Sequence, residues 1–152
     1  MSRRFGPFFF PEGRGLAGGL AGLAGVVYFS VGFLQIASLA GVLPPITGQG
    51  DLLTGLLLII VAAVFLKGIR PLSEGTEEGY AHLVVGYMLA TILFGLQVLV
   101  IGTNALGWLL QFPGWVEWSL AQDLTPQIWL FAILVVVSII LRLAESPKEV
   151  SE

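Results

Sequence analysis

His82 is the single histidine of the chain, and it follows Glu78 by four residues and Tyr80 by two. On a helix, Glu78 and His82 would share one face as an i,i+4 pair, and an imidazole titrates near neutral pH. His82, Glu78 and Tyr80 would suit a proton-accepting or quinone-head-group site at a membrane surface. The same residues also describe a solvated histidine at a helix start. Gln35 and Gln97 are the most polar residues well inside the apolar blocks. They could line a path for a neutral solute, or act as interhelical glue contributing about 0.6–2 kcal/mol each. The hydroxyls of Ser30, Ser38, Thr91 and Ser138 can bond back to the carbonyl four residues earlier or across to a neighbouring helix.

Much chemistry is excluded by composition. There is no cysteine, so disulfides, thiolate metal sites and iron–sulfur clusters cannot form. One histidine cannot make a bis-His haem site or a multi-His metal centre. A Ser–His–acid set would have to use His82, and the serines lie in other segments. No glycine loop has phosphate- or dinucleotide-binding spacing. Net charge is −3 with no basic run, which argues against nucleic acid as a partner. The expectation is therefore no cofactor and no metal, and no catalysis by this chain alone.

The elements that position these residues are set by hydropathy. Apolar residues make up 56% of the chain and charged residues 11%, against about 25% charged in soluble domains. The predicted fold is all-α: a polytopic integral membrane protein of four transmembrane helices arranged as two hairpins. It is read as a single membrane domain over residues 1–152, with spans near 16–42, 52–69, 80–103 and 126–143 and short tails at 1–14 and 144–152. The second uncharged block, between Asp51 and Lys67, is short for a ~30 Å hydrocarbon core, so Lys67 and Arg70 are expected to snorkel. Thr125 and Pro126 read as N-cap and first helical residue of the fourth span. Ser38-Leu39-Ala40 has the form of a leader-cleavage site. The apolar run before it exceeds the ~7–15 residues of a signal peptide, so the first span is expected to be retained.

All seven basic residues fall on one side of a four-span arrangement. Arg3, Arg4 and Arg14 precede the first span, Lys67 and Arg70 flank the second connection, and Arg142 and Lys148 follow the last span. The positive-inside rule then makes both termini cytoplasmic and places the protein in the cell membrane. Trp108, Trp115, Trp118 and Trp129 gather at the opposite interface as half of an aromatic belt, with Phe5, Phe8, Phe9 and Phe10 on the basic side. The long outer loop is expected to hold an interfacial helix near Trp115–Asp123. Asp51, Asn104 and Asp123 read as helix-end caps.

Small residues mark the contact faces. Gly15, Gly18, Gly19, Gly22, Gly25 and Gly32 form a stripe with GxxxG spacing in span one, and Gly79, Gly86 and Ala90 repeat the device in span three. Lipid gives helices no hydrophobic drive to associate, so they meet where small residues let backbones come close. Spans two and four are bulky and β-branched, which suits them to face lipid or to fill space. Spans one and three are accordingly expected to form the inner pair or to meet other subunits. Local likenesses between the halves, such as Gly32-Phe33-Leu34-Gln35 and Phe94-Gly95-Leu96-Gln97, would fit a duplicated hairpin, but apolar segments match by chance easily and chance is the favoured reading.

Three functions fit these readings. The favoured one is a small accessory subunit of a larger membrane complex of energy-converting or respiratory type, with hetero-oligomeric membrane partners in the bilayer. It rests on span interiors free of Asp, Glu, Lys and Arg, with only Lys67 and Arg142 at the basic ends, whereas an ion-translocating core would need such groups at depth. The second is a homo-oligomeric transporter or channel for a neutral solute. The third is a quinone-interacting or enzymatic module around His82.

Overall fold

In the computed structural model the described residues are 14–42 and 51–145. They form helices α1 (Arg14–Leu39), α2 (Leu52–Glu74), α3 (Glu77–Leu109), α4 (Leu120–Asp123) and α5 (Pro126–Glu145). The expectations for Phe5, Phe8, Phe9, Phe10 and most of the two tails lie outside the described residues. Among those described, α1, α2, α3 and α5 are long and apolar enough to cross a membrane. The 33 residues of α3 span roughly 50 Å at ~1.5 Å each, so this helix outruns a ~30 Å core unless it tilts.

Local chemistry sets the helix ends. The Asp51 carboxylate caps α2 by accepting from the backbone N–H groups of Leu53 and Thr54 at 3.1 and 3.2 Å and from the Thr54 hydroxyl. Chiefly through that hydroxyl, these bonds hold the Asp51 carboxyl below its usual range. Helix α2 continues beyond Lys67 and Arg70, through Pro71, to Glu74. It stops at Gly75, whose φ of 72° allows the Thr76 N–H to reach the Pro71 carbonyl at 3.0 Å. Two residues, Gly75 and Thr76, thus turn the chain directly into α3. At α5, Pro126 opens the helix, but the Thr125 hydroxyl is buried without a partner among the described residues. The cap expected of Thr125 is absent.

The packing differs from the expected pairing of spans one and three. Helix α2 lies at the centre: α1 packs along it extensively, α3 packs on its C-terminal part, and α1 and α3 scarcely touch. The physical reason is a set of small residues in α2 that its bulky neighbours mask in the sequence. A Cβ on Gly32 would stand 2.8 Å from the Gly55 carbonyl oxygen, and one on Gly55 would stand 2.9 Å from that of Gly32. Further along, Gly25 sits over Leu66 and Ala62. On the other side Gly68 faces His82, and Gly79 lies against the main chain of Pro71 and Leu72, where a Cβ would come within 2.6 Å of the Pro71 carbonyl carbon.

Phe65 is the hub of this arrangement. It is fully buried, its ring 6.0 Å from Tyr28 of α1 and 5.9 Å from Tyr87 of α3, and Gly86 leaves the space it fills. Helix α5 is held more lightly, by Phe131 stacked on Phe94 at 4.7 Å and by the Tyr87 hydroxyl donating to the Leu134 carbonyl at 3.4 Å. The two hairpins therefore pack unequally, unlike copies of one unit. The hydroxyls of Ser30, Thr91 and Ser138 donate to the carbonyls four residues back, at 2.8, 2.8 and 2.6 Å.

Gly79→Ala and Gly32→Ala should each destabilise the protein by ~1–3 kcal/mol, because backbone rather than a yielding side chain occupies the space. Gly95→Ala, with nothing within 4 Å of the added carbon, should be neutral within ~0.5 kcal/mol. Unfolding of the purified protein in mixed detergent micelles measures both.

Candidate functional site

At the end where α3 finishes and α5 begins, polar side chains converge on Asp123. Gln97 and Asn104 are two helical turns apart on one face of α3. The Gln97 amide donates to the Asp123 carbonyl at 2.9 Å, and the Asn104 amide donates to the Asp123 carboxylate at 2.7 Å. The Trp118 indole N–H donates to the same carboxylate oxygen at 2.8 Å, and that of Trp115 donates to Asn104 Oδ1 at 3.1 Å. A carboxylate only accepts and an indole N–H only donates, so these partners fix the orientation of the Asn104 amide. Gly107, one turn beyond Asn104, makes room for the Trp115 ring, which would lie 2.8 Å from an added Cβ.

This cluster was not expected as a unit. Asn104 lies inside α3 and Asp123 accepts from side chains, so neither is a simple helix-end cap. The indole N–H groups of Trp115 and Trp118 donate into the cluster, although the Trp115 ring, like Trp108 and Trp129, is exposed. In place of an interfacial helix over Trp115–Asp123 there are turns followed by the four residues of α4. The pinning bonds from α3 define this loop, and a regular helix would break their geometry. Nearby, Gln127 donates to the Thr54 hydroxyl at 3.3 Å, tying α5 to the capped start of α2, while its carbonyl oxygen is buried without a partner among the described residues.

The opposite end carries Lys67, Arg70 and His82. Arg70 pairs with Glu74 at 3.0 Å on the surface. His82 Nδ1 lies 2.9 Å from the main-chain carbonyl of Glu78. Since a carbonyl can only accept, this contact is a hydrogen bond when Nδ1 carries a proton. Tyr80 packs against the core while His82 borders a groove between α2 and α3, so the three residues do not face one site.

The remaining candidates are divided among different contacts. Gln35 is buried in the α1–α2 interface beside Gly55, away from the bonds that hold Gln97. Of the glycine stripes, Gly25, Gly32, Gly79 and Gly86 lie at close approaches within the chain, and Ala90 is buried. Gly18 and Gly22 have neighbours only at 4.0 and 3.7 Å, and Gly15 and Gly19 have none within 4 Å. Among the described residues no group of His, Cys, Asp and Glu is placed to hold a metal ion.

Four membrane-length helices with polar side chains gathered at the two ends define a polytopic α-helical membrane protein. The chain belongs to the MJ0565 integral membrane domain family, whose model matches residues 14–143. It is similar to the uncharacterized protein MJ0565 of Methanocaldococcus jannaschii, with 23% identity over 103 residues covering 68% of this chain and 69% of that protein. No solved structure matches the chain. This is therefore an integral, multi-pass membrane protein surrounded by a lipid bilayer.

Asp123→Ala would leave the Asn104 amide and the Trp118 indole without their shared acceptor. It should destabilise the protein by ~1–3 kcal/mol and raise amide hydrogen exchange across residues 113–125. Unchanged exchange in that loop would show that the cluster does not hold it.

Proposed function

We propose that the chain is a small structural subunit of a larger membrane complex, contributing helix surfaces rather than catalysis. The observation that supports this reading most directly is a set of glycines with no close neighbour in the described part of the chain. Gly15 and Gly19 of α1, and Gly95 and Gly102 of α3, have nothing among the described residues within 4 Å of where a Cβ would stand. Such faces invite close approach by a further helix, because association in lipid depends on van der Waals contact. Much surface is also available: only 11% of the apolar window of α3 and 17% of that of α5 is buried by the chain. The spans' lack of acidic and basic residues, outside the snorkelling end of α2, fits a supporting role better than ion translocation. A channel for a neutral solute draws less support, since Gln97 is engaged by Asp123 and Gln35 is buried against α2. In this reading both termini face the cytoplasm, because the order of the four spans along the sequence assigns all seven basic residues to one side of the membrane.

Extraction in mild detergent followed by native mass spectrometry should show this chain with distinct partner chains, and Gly15→Leu with Gly19→Leu should reduce that assembly while insertion persists. A partner-free species in the wild type would overturn the proposal. For orientation, a cysteine replacing Glu117 should react with an impermeant maleimide added outside the cell, and one replacing Ser73 only after permeabilisation; the reverse pattern would invert the topology.

A further inference from the structure

A groove of about 500 Å³ runs between α2 and α3 toward the basic end of the bundle, within the ~300–1,000 Å³ range of ligand sites. On α2 its wall is one helical stripe, Ile60, Ala63, Val64 and Lys67, at spacing i, i+3, i+4, i+7. On α3 it is Ala81, His82 and Val85. Ala63 and Ala81 supply the hollow, since a larger side chain at either position would occupy it. The two backbones beside it are pinned together, Gly68 against the His82 Cβ at 2.9 Å and Gly79 against the main chain of Pro71 and Leu72. The walls are thus fixed by packing, and Ile60, Ala63, Ala81 and Val85 leave the groove open on the outside of the bundle.

The groove is apolar along its length and polar at one end. Lys67 is its only cationic side chain, is exposed, and has no ion pair or hydrogen bond among the described residues. Arg70, by contrast, is engaged by Glu74. None of Glu74, Glu77 and Glu78 lines the groove. Lys67 stands about two turns before the end of α2, so its stem can follow the apolar wall while the ammonium reaches headgroup level. His82 closes the same end beside it.

We propose that this groove holds one membrane phospholipid, with a hydrocarbon chain along Ile60, Ala63, Val64 and Val85 and the phosphate on the Lys67 ammonium. The charge match selects this occupant. A phospholipid brings an anion joined to an apolar chain, matching a groove that is apolar along its walls and cationic at one end. An apolar helix of a partner would bury Lys67 without a counter-charge.

The test is native mass spectrometry of the full chain in detergent, titrated with phosphatidylglycerol and, in parallel, with diacylglycerol of the same chains. Wild type should retain phosphatidylglycerol and bind the phosphate-free lipid more weakly. Lys67→Gln should lower phosphatidylglycerol affinity about fivefold, and Ala63→Phe should reduce binding of both lipids by filling the hollow. Arg70→Gln, outside the groove, should leave binding unchanged. Equal retention by wild type and Lys67→Gln, equal binding of the two lipids, or an equal loss with Arg70→Gln would overturn the proposal. So would a photo-crosslinker at Ala81 that captures a polypeptide in the native membrane instead of lipid. If Ala63→Phe fails to assemble, the exposed Lys67→Gln variant decides alone.

Discussion

The fold depends on close contact between main chains. Inside a bilayer the lipid tails are as apolar as the side chains, so burial of leucine gives helices little reason to associate. Attraction must come from many short van der Waals contacts, each of which falls off steeply with a small gap. Gly32 and Gly55 bring α1 and α2 to within contact of each other's carbonyls, and Gly79 brings α3 onto the last turn of α2. Phe65 then fits between Tyr28 and Tyr87. With α2 gripped on both sides, the first three helices form the firm part of the bundle, and α5 rests against it through fewer contacts.

At the tryptophan end the constraint is different. There the chain must leave the helix, expose backbone groups, and return as α5 across a long loop. Asp123 solves this by collecting bonds from α3 and from the loop itself, so one carboxylate fixes the path that backbone hydrogen bonding cannot fix. Because Gln97 and Asn104 belong to the long helix α3, the loop is referenced to the bundle rather than free to float at the surface.

These two constraints bear on function in the same direction. Several interior polar groups hold structure, Gln127 to Thr54, Tyr87 to Leu134 and Gln97 to Asp123, while the hydroxyls of Tyr28 and Thr125 and the Gln127 carbonyl oxygen are buried without a partner among the described residues. The open glycine faces and the groove ending at Lys67 lie on the outside of the bundle, and in the proposed reading it is through these surfaces that the chain acts.

The membrane class and the four spans were legible in the sequence, because hydropathy over twenty or so residues and the absence of charge are local properties that a bilayer demands of any spanning helix. The glycine spacing likewise showed that close packing would occur, and Asp51 could be read as a cap from its place before an apolar run. Which helices pack was not legible. Gly55 and Gly68 stand among leucines and isoleucines, and their meaning depends on what lies opposite them, which no single segment records. The Asp123 cluster was hidden for the same reason: Gln97, Asn104, Trp115 and Trp118 are ordinary residues in separate positions, and only the return of the loop onto α3 makes them neighbours. Sequence alone determined the solvent this chain lives in and the approximate position of its four spans; tertiary structure decided that α2 is central, since pair contacts, unlike hydropathy, are properties of two surfaces at once.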